Sequence, residues 1–552
     1  MSSRRRALQN HDVLHEIFTW LALQPGGDEI TPEEEEDRRA DRHDLLNAAL
    51  VCKSFTGHAL DALWRELDDL LPVMQLFTEA QDPEADGTVP DGALADGLDV
   101  SFSYLISETE WARFRHYARR VRVIRDSGFG TFEASMLLHL AQRNGGKPLF
   151  PCLRCLTHQV GSNMDTGLLP LVASTLESAK LMFCGETWYG IDAEESPAIA
   201  RKMRDYAVQK SLTNLCTNAP ELRRLTITDL GRASTLSPLL VCRQLRCLHI
   251  HDIVFNPRSL RSLASLETVR ELDLKYELMS CDFSGCSGLI GVESVSLSAP
   301  MYQIPTVLDM ISSTRVRTVR ITDPTRRAAF QDCSDVVQIA AKFPCLDEFW
   351  LAADNSFVFS PDTSPPPSTP LMLLLAPLLQ RRGLRTLSIN RWQPGGFALG
   401  DDDVQTFADA WPGLQSLVLT VNRAEVIPTL DSLTIVARAL PALVELELPS
   451  ITILSAEQLR PRPELGPHPL RTFEVGDPDR GTEAFDAAAV AQWVHDIFPR
   501  FSMPGESEGF PDFLASLLGE LERLHTEVPF SDWQAGEDAE GAVELPLVRA
   551  ST

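Results

Sequence analysis

Lysine is scarce in this chain: there are seven in 552 residues and none after Lys342. Arginine carries most of the positive charge, and an arginine-biased composition accounts for the imbalance. Cations are outnumbered overall, with a formal net charge of -27, so nucleic acid is a poor partner for the chain as a whole. No run of 18 apolar residues occurs, and no apolar signal segment follows the arginines at the start, so no membrane partner is expected. The expected compartment is the cytoplasm, the nucleus or both.

Eleven cysteines show no framework spacing. One C-x-x-C pair, Cys152 and Cys155 in PCLRCL, has no second pair at zinc spacing, and Leu153 and Leu156 place it in a repeat. No G-x-G-x-x-G, P-loop, H-E-x-x-H or G-x-S-x-G element stands in a suitable context. The histidines do not cluster along the chain. Asp401 to Asp403 suit a helix start, where negative charge is favourable. Together these absences argue against an enzyme, a cofactor and a metal site.

What the chain has in abundance is a repeat, apolar-x-x-apolar-x-apolar. The clearest copies are LRRLTI from Leu222, LRCLHI from Leu245, VRELDL from Val269, VESVSL from Val292 and VRTVRI from Val316. LDEFWL from Leu346, LRTLSI from Leu384, LQSLVL from Leu414, LVELEL from Leu443 and LRTFEV from Leu470 continue it. Start-to-start intervals run 23, 24, 23, 24, 30, 38, 30, 29 and 27 residues. The last two anchors of each copy alternate, as a short strand requires, and point inward. One strand with its connection cannot bury its own apolar side; stacked copies can. Between strands, SLRSLASLETV from Ser259 and DSLTIVARAL from Asp431 carry helix-spaced apolar residues.

This pattern resembles irregular leucine-rich repeats, without a regular asparagine after the strand. The fold class expected is α/β: a curved solenoid over 120–505, with parallel strands on the concave side and helices on the convex side. LRCLTH from Leu153 and LESAKL from Leu176 are fainter copies, and VRVI from Val121 is the expected first edge. PDTSPPPSTP from Pro361 and NRWQPGGFALGDDD from Asn390 read as outward loops. Trp392 and Phe397 there are either contact residues or a cover for the array edge. LMLLLAPLL from Leu371 reads as a buried helix. A capping helix is expected over 506–530 and an acidic tail over 531–552.

Residues 8–70 differ in character. LQNHDVLHEIFTWL has apolar residues at helical spacing, with Asn10 or Asp12 suited to cap it. A charged stretch over 24–44 reads as a solvated insertion. DLLNAALVCKSFTGHALDALWREL outlines two further helices. So few short helices bury little area and are marginal alone. The helix ending IFTWL, the run LLNAALVCKSF and the following ALDALWREL resemble an F-box of the fungal kind. WARFRHYARRVRVI from Trp111 looks like the linker that family places before its repeats; the linker and its helix are expected over 71–119, after the 8–70 module, and a basic tail over 1–7 precedes that module. Gln9 stands where the family has proline.

The resemblance implies a substrate-recognition subunit of an SCF-type ubiquitin ligase. Its F-box would bind a Skp-type adaptor, and through it a cullin-RING complex; its repeats would hold a protein substrate. Carried onto this sequence, Leu8, Leu14, Ile17, Phe18, Leu21, Leu50, Val51 and Cys52 are candidates for the adaptor face or the core behind it. Trp64 and Leu63 would close the third helix. Outward strand residues are the candidates for the substrate face: Arg223, Arg224, Arg246, Arg270, Glu271, Arg317, Arg385 and Glu445, with Trp392 on the rim. The alternative is a non-catalytic repeat scaffold whose F-box is degenerate or serves another complex.

Overall fold

A computed structural model describes residues 10–21, 32–77, 106–125, 134–160, 167–183, 197–232, 235–280, 283, 285–325, 328–353, 369–391, 396–421, 426–452, 468–475, 487–498, 519–520 and 523. The chain divides into two compact units, Met1–Val316 and Arg317–Thr552. The helical module and the first eight strands belong to the same unit.

Three helices open the first unit: α1 (His11–Trp20), α2 (Pro32–Val51) and α3 (Lys53–Leu63). Asn10 caps α1, its side chain accepting from the Asp12 amide at 3.0 Å. Leu14 and Phe18, one turn apart, pack with Leu45 and Ala49 of α2 and Ala59 and Ala62 of α3 into a small core. The charged stretch read as an insertion is, from Pro32 onward, the first two-thirds of α2. Glutamate and arginine are good helix formers, and helical backbone outcompetes an excursion there.

After α3 come β1 (Glu66–Leu67), the short α4 (Leu71–Met74), α5 (Glu108–Ala118), β2 (Val123–Ile124) and α6 (Ala134–Arg143). Then follow β3 (Cys155–Val160), β4 (Ser178–Phe183), α7 (Pro197–Asn218), β5 (Arg224–Thr228), β6 (Cys247–Phe255), α8 (Pro257–Ala264), β7 (Glu271–Leu278), β8 (Ser294–Ser298) and α9 (Ile304–Met310). Strands β1 to β8 lie in chain order, each parallel to the next. The ladder therefore starts one strand before VRVI. The module is tied to it by the stacking of Trp64 on Tyr117, 4.4 Å between centroids, and by the Arg120–Asp61 ion pair.

The repeat anchors fall in register. Leu156, Ala179, Leu225, Leu248, Leu272 and Val295 form one buried row. His158, Leu181, Ile227, Ile250, Leu274 and Leu297 form the next; His158 is wholly buried where the pattern asks for an apolar residue. The segment from Ser259 forms α8 over its first residues, and Leu260, Leu263, Leu266 and Val269 are buried as expected. Gly288 marks a close backbone approach: a Cβ there would lie 1.9 Å from the Ala264 carbonyl oxygen.

The second unit contains β9 (Thr318–Thr322), α10 (Phe330–Ala340), β10 (Glu348–Ala353), β11 (Thr369–Pro370), α11 (Leu371–Leu375), β12 (Thr386–Arg391), β13 (Phe397–Ala398), α12 (Asp401–Ala410), β14 (Ser416–Val421), α13 (Asp431–Ala439), β15 (Glu445–Leu448), β16 (Thr472–Val475) and α14 (Ala487–Ile497). Its ladder runs β9-β10-β12-β14-β15-β16, again parallel and in chain order. Strands β11 and β13 pair with each other outside it. Asp401 to Asp403 form the first turn of α12, as the sequence suggests. Leu371, Leu374 and Leu375 are buried, as expected of that run, which Pro377 interrupts. Phe397 is buried; Trp392 lies outside the described residues, as do nearly all of 506–530 and the whole of 531–552.

Candidate functional site

The helical module is where the structure separates core from surface. Leu14 and Phe18 are core, 2% and 4% exposed. Ile17 and Leu21 lie on another side of α1, 42% and 53% exposed, with Val13 and Trp20 also open. At the end of α2, Leu50 and Val51 are 78% and 69% exposed, followed by the exposed Cys52. The bond between the Cys52 and Ser54 side chains, 3.0 Å, holds the thiol pKa below its ordinary range. Leu8 lies outside the described residues. Leu63 packs against the small core and Trp64 ends α3, so both sit where the third helix closes.

A wide apolar band on α1 explains the split. Leu14 and Phe18 face the neighbouring helices, and Val13, Ile17, Trp20 and Leu21 are left exposed among the described residues. Apolar side chains concentrated on exposed helix surface mark an interaction site.

The second candidate is the outward side of the strands. Arg223, Arg224, Arg246, Arg270, Glu271, Arg317 and Arg385 are exposed there or at the strand starts, and Glu445 is half-buried. Several engage their neighbours. Ser416 donates to Glu445 at 2.6 Å, Arg317 pairs with Asp347 at 2.8 Å, and His249 meets Glu271 at 3.3 Å. A second histidine, His251, donates to Asp273 at 3.2 Å. Neither histidine stands out in the sequence; their signal is occupancy of outward strand positions beside acids one repeat later.

The bond to Asp273 holds the His251 imidazole above its ordinary 6.5; burial opposes this, and the charges of Asp273 and Asp252 add to it while Lys275 subtracts. Burial pushes the Asp273 carboxyl up, but the bond and charge of His251 and a bond from Ser296 outweigh it and leave the carboxyl below its usual range. A histidine raised on folding stabilises fully below its unfolded pKa, and that contribution disappears as pH rises through the folded pKa. Asp273→Asn is expected to lower the His251 pKa and remove the stabilisation that the raised pKa implies on the acidic side. Proton NMR titration of the imidazole, with thermal unfolding at pH 5 and pH 8, checks both.

Cys155, of the C-x-x-C, has its thiol pushed up by burial, and Leu153 and Leu156 are buried beside it, in keeping with a repeat segment. Among the described residues, no helix is long and apolar enough to cross a membrane.

No protein-family model matches this sequence, and no curated protein matches it. Among solved structures, a leucine-rich-repeat protein of Leptospira interrogans is similar at a TM-score of 0.34 and 11% identity, over 64% of this chain and 77% of that one.

Proposed function

We propose that this chain is a non-catalytic substrate receptor of an SCF-type ubiquitin ligase, acting in the cytoplasm or nucleus. The helical module docks a Skp-type adaptor, which links it to a cullin-RING complex. The outward side of the strands holds a protein substrate. The reading rests first on the resemblance of residues 8–70 to an F-box. The observation that carries it is the exposure of Ile17, Leu21, Leu50 and Val51 on a module whose own core is only a handful of side chains. Such a surface gains most by being covered, since apolar area removed from water contributes roughly 25 cal/mol per Å².

The chemistry then occurs on other subunits. This chain supplies proximity, raising the effective concentration of a substrate amine near an activated thioester. Arginine-rich strands on its surface offer charge-assisted bonds to carboxylates of the bound protein.

The test is co-expression of the full chain with a Skp-type adaptor. The parent is expected to co-purify with it. Ile17→Ala with Val51→Ala is expected to lose about 2–4 kcal/mol of adaptor binding and to fail in pull-down. Both residues are exposed, so circular dichroism and thermal unfolding of the variant should match the parent. Absence of adaptor from the parent, or equal capture by the variant, rejects the assignment.

A further inference from the structure

The residue just before each strand forms a row of its own. In the first unit this row reads Arg65, Arg122, Arg154, Glu177, Arg223, Arg246, Arg270, Glu293. Backbone bonds fix the order, the amide of each residue donating to the carbonyl of the one before it at 2.7–2.8 Å throughout. Adjacent parallel strands lie about 4.8 Å apart, so Arg223, Arg246 and Arg270 occupy a stretch of about 10 Å. All three are exposed, as are Arg65 and Arg154.

Pairing does little to neutralise this row. Arg154–Glu177 at 3.6 Å and Arg270–Glu293 at 3.5 Å are long and open to solvent, the kind of pair that contributes little. Among the described residues no carboxylate bonds to Arg223 or Arg246; Arg246 reaches only the Thr268 carbonyl, at 3.5 Å. The acids on the neighbouring outward positions are engaged elsewhere: Glu271 with His249, Asp273 with His251 and Asp252 with Lys275.

The repeat does not require arginine here. The same backbone position in the second unit reads Arg317, Asp347, Arg385, Gln415, Val444, Arg471. There the first arginine pairs with Asp347 at 2.8 Å, and a glutamine and a valine are accepted. Like charges on adjacent strands are destabilising. The first unit thus maintains an arrangement that its fold does not need, in a chain whose net charge is -27.

We propose that this edge docks an acidic segment of a protein partner, a run of about four consecutive Asp or Glu residues in extended form. Four such residues span about 10 Å, the length of the Arg223–Arg246–Arg270 group. The complementary charge identifies the occupant. A short acidic peptide fits better than nucleic acid, because a long polyanion would also meet the field of the acidic remainder. On the receptor reading, the partner is the substrate, and this names its class.

The experiment measures binding of a fluorescein-labelled hexaglutamate peptide to the full chain by anisotropy. The parent is expected to bind, more weakly as salt rises. The triple variant Arg223→Gln, Arg246→Gln, Arg270→Gln is expected to lose about tenfold or more in affinity. Arg258→Gln, an exposed arginine on α8, should stay within about twofold of the parent. Absence of peptide binding by the parent, equal binding by the triple variant, or equally tight binding of a hexauridylate would overturn the proposal. Adaptor capture by the triple variant is read in parallel: unchanged capture with lost peptide binding supports both readings. Lost adaptor capture by the parent with retained peptide binding removes only the ligase assignment.

Discussion

Glu66→Ala is expected to destabilise the chain by about 3–5 kcal/mol, measured by urea unfolding. Glu66 is 5% exposed on β1, and its carboxylate accepts from Arg38 of α2 and from Arg125 just after β2. Arg38 is itself buried, and its other acid, Asp68, bonds at 3.3 Å with its side chain 42% exposed. Removing Glu66 leaves a guanidinium out of water with one partly solvated partner. The cost is the unpaired charge, more than the lost pair. Replacing the whole cluster, Arg38→Met, Glu66→Leu and Arg125→Met together, leaves no unpaired charge and should therefore be near neutral or more stable than the parent. A single-variant loss below 1 kcal/mol would mean that Arg38 finds water when its partner is gone.

In the second unit, Trp411→Ala should cost about 3–5 kcal/mol in the same measurement. Trp411 is fully buried, stacks on Phe407 with 5.4 Å between centroids, and donates from its indole nitrogen to the Leu378 carbonyl at 3.3 Å. Alanine leaves both a cavity and a carbonyl without that donor. Trp411→Phe keeps much of the volume and should lose about 1 kcal/mol for the hydrogen bond plus a smaller cavity term. Equal losses for the two variants would show that the polar contact, and not packing, dominates the site.

The strands were readable because their anchors repeat with period two inside a fixed motif. All ten clear copies are strands β5 to β10, β12 and β14 to β16, and the fainter copies at Leu153 and Leu176 are β3 and β4. Strand β1 was hidden. Leu60, Leu63 and Leu67 continue the helical spacing of α3, so Glu66 and Leu67 look like its last turn. The Arg38–Glu66 contact joins residues 28 apart and leaves no local trace in the sequence.

The helical module was legible as helices but not as surfaces. Leu14, Ile17, Phe18 and Leu21 all satisfy helical spacing, and only the position of the neighbours makes two of them core. The arginines of LRRL, LRCL and VREL were each visible in their own repeat. Their alignment into one row depends on strand register, which no single repeat reveals.

Strand order that never departs from chain order also bears on ancestry. In the first unit each described strand pairs with the ones made just before and just after it. Duplication or loss of a whole copy then changes two seams and leaves distant ones intact. Such a ladder can lengthen by recombination while the helices at its beginning keep their own attachment, so the surface of those helices is free to diversify apart from the outward side of the rungs.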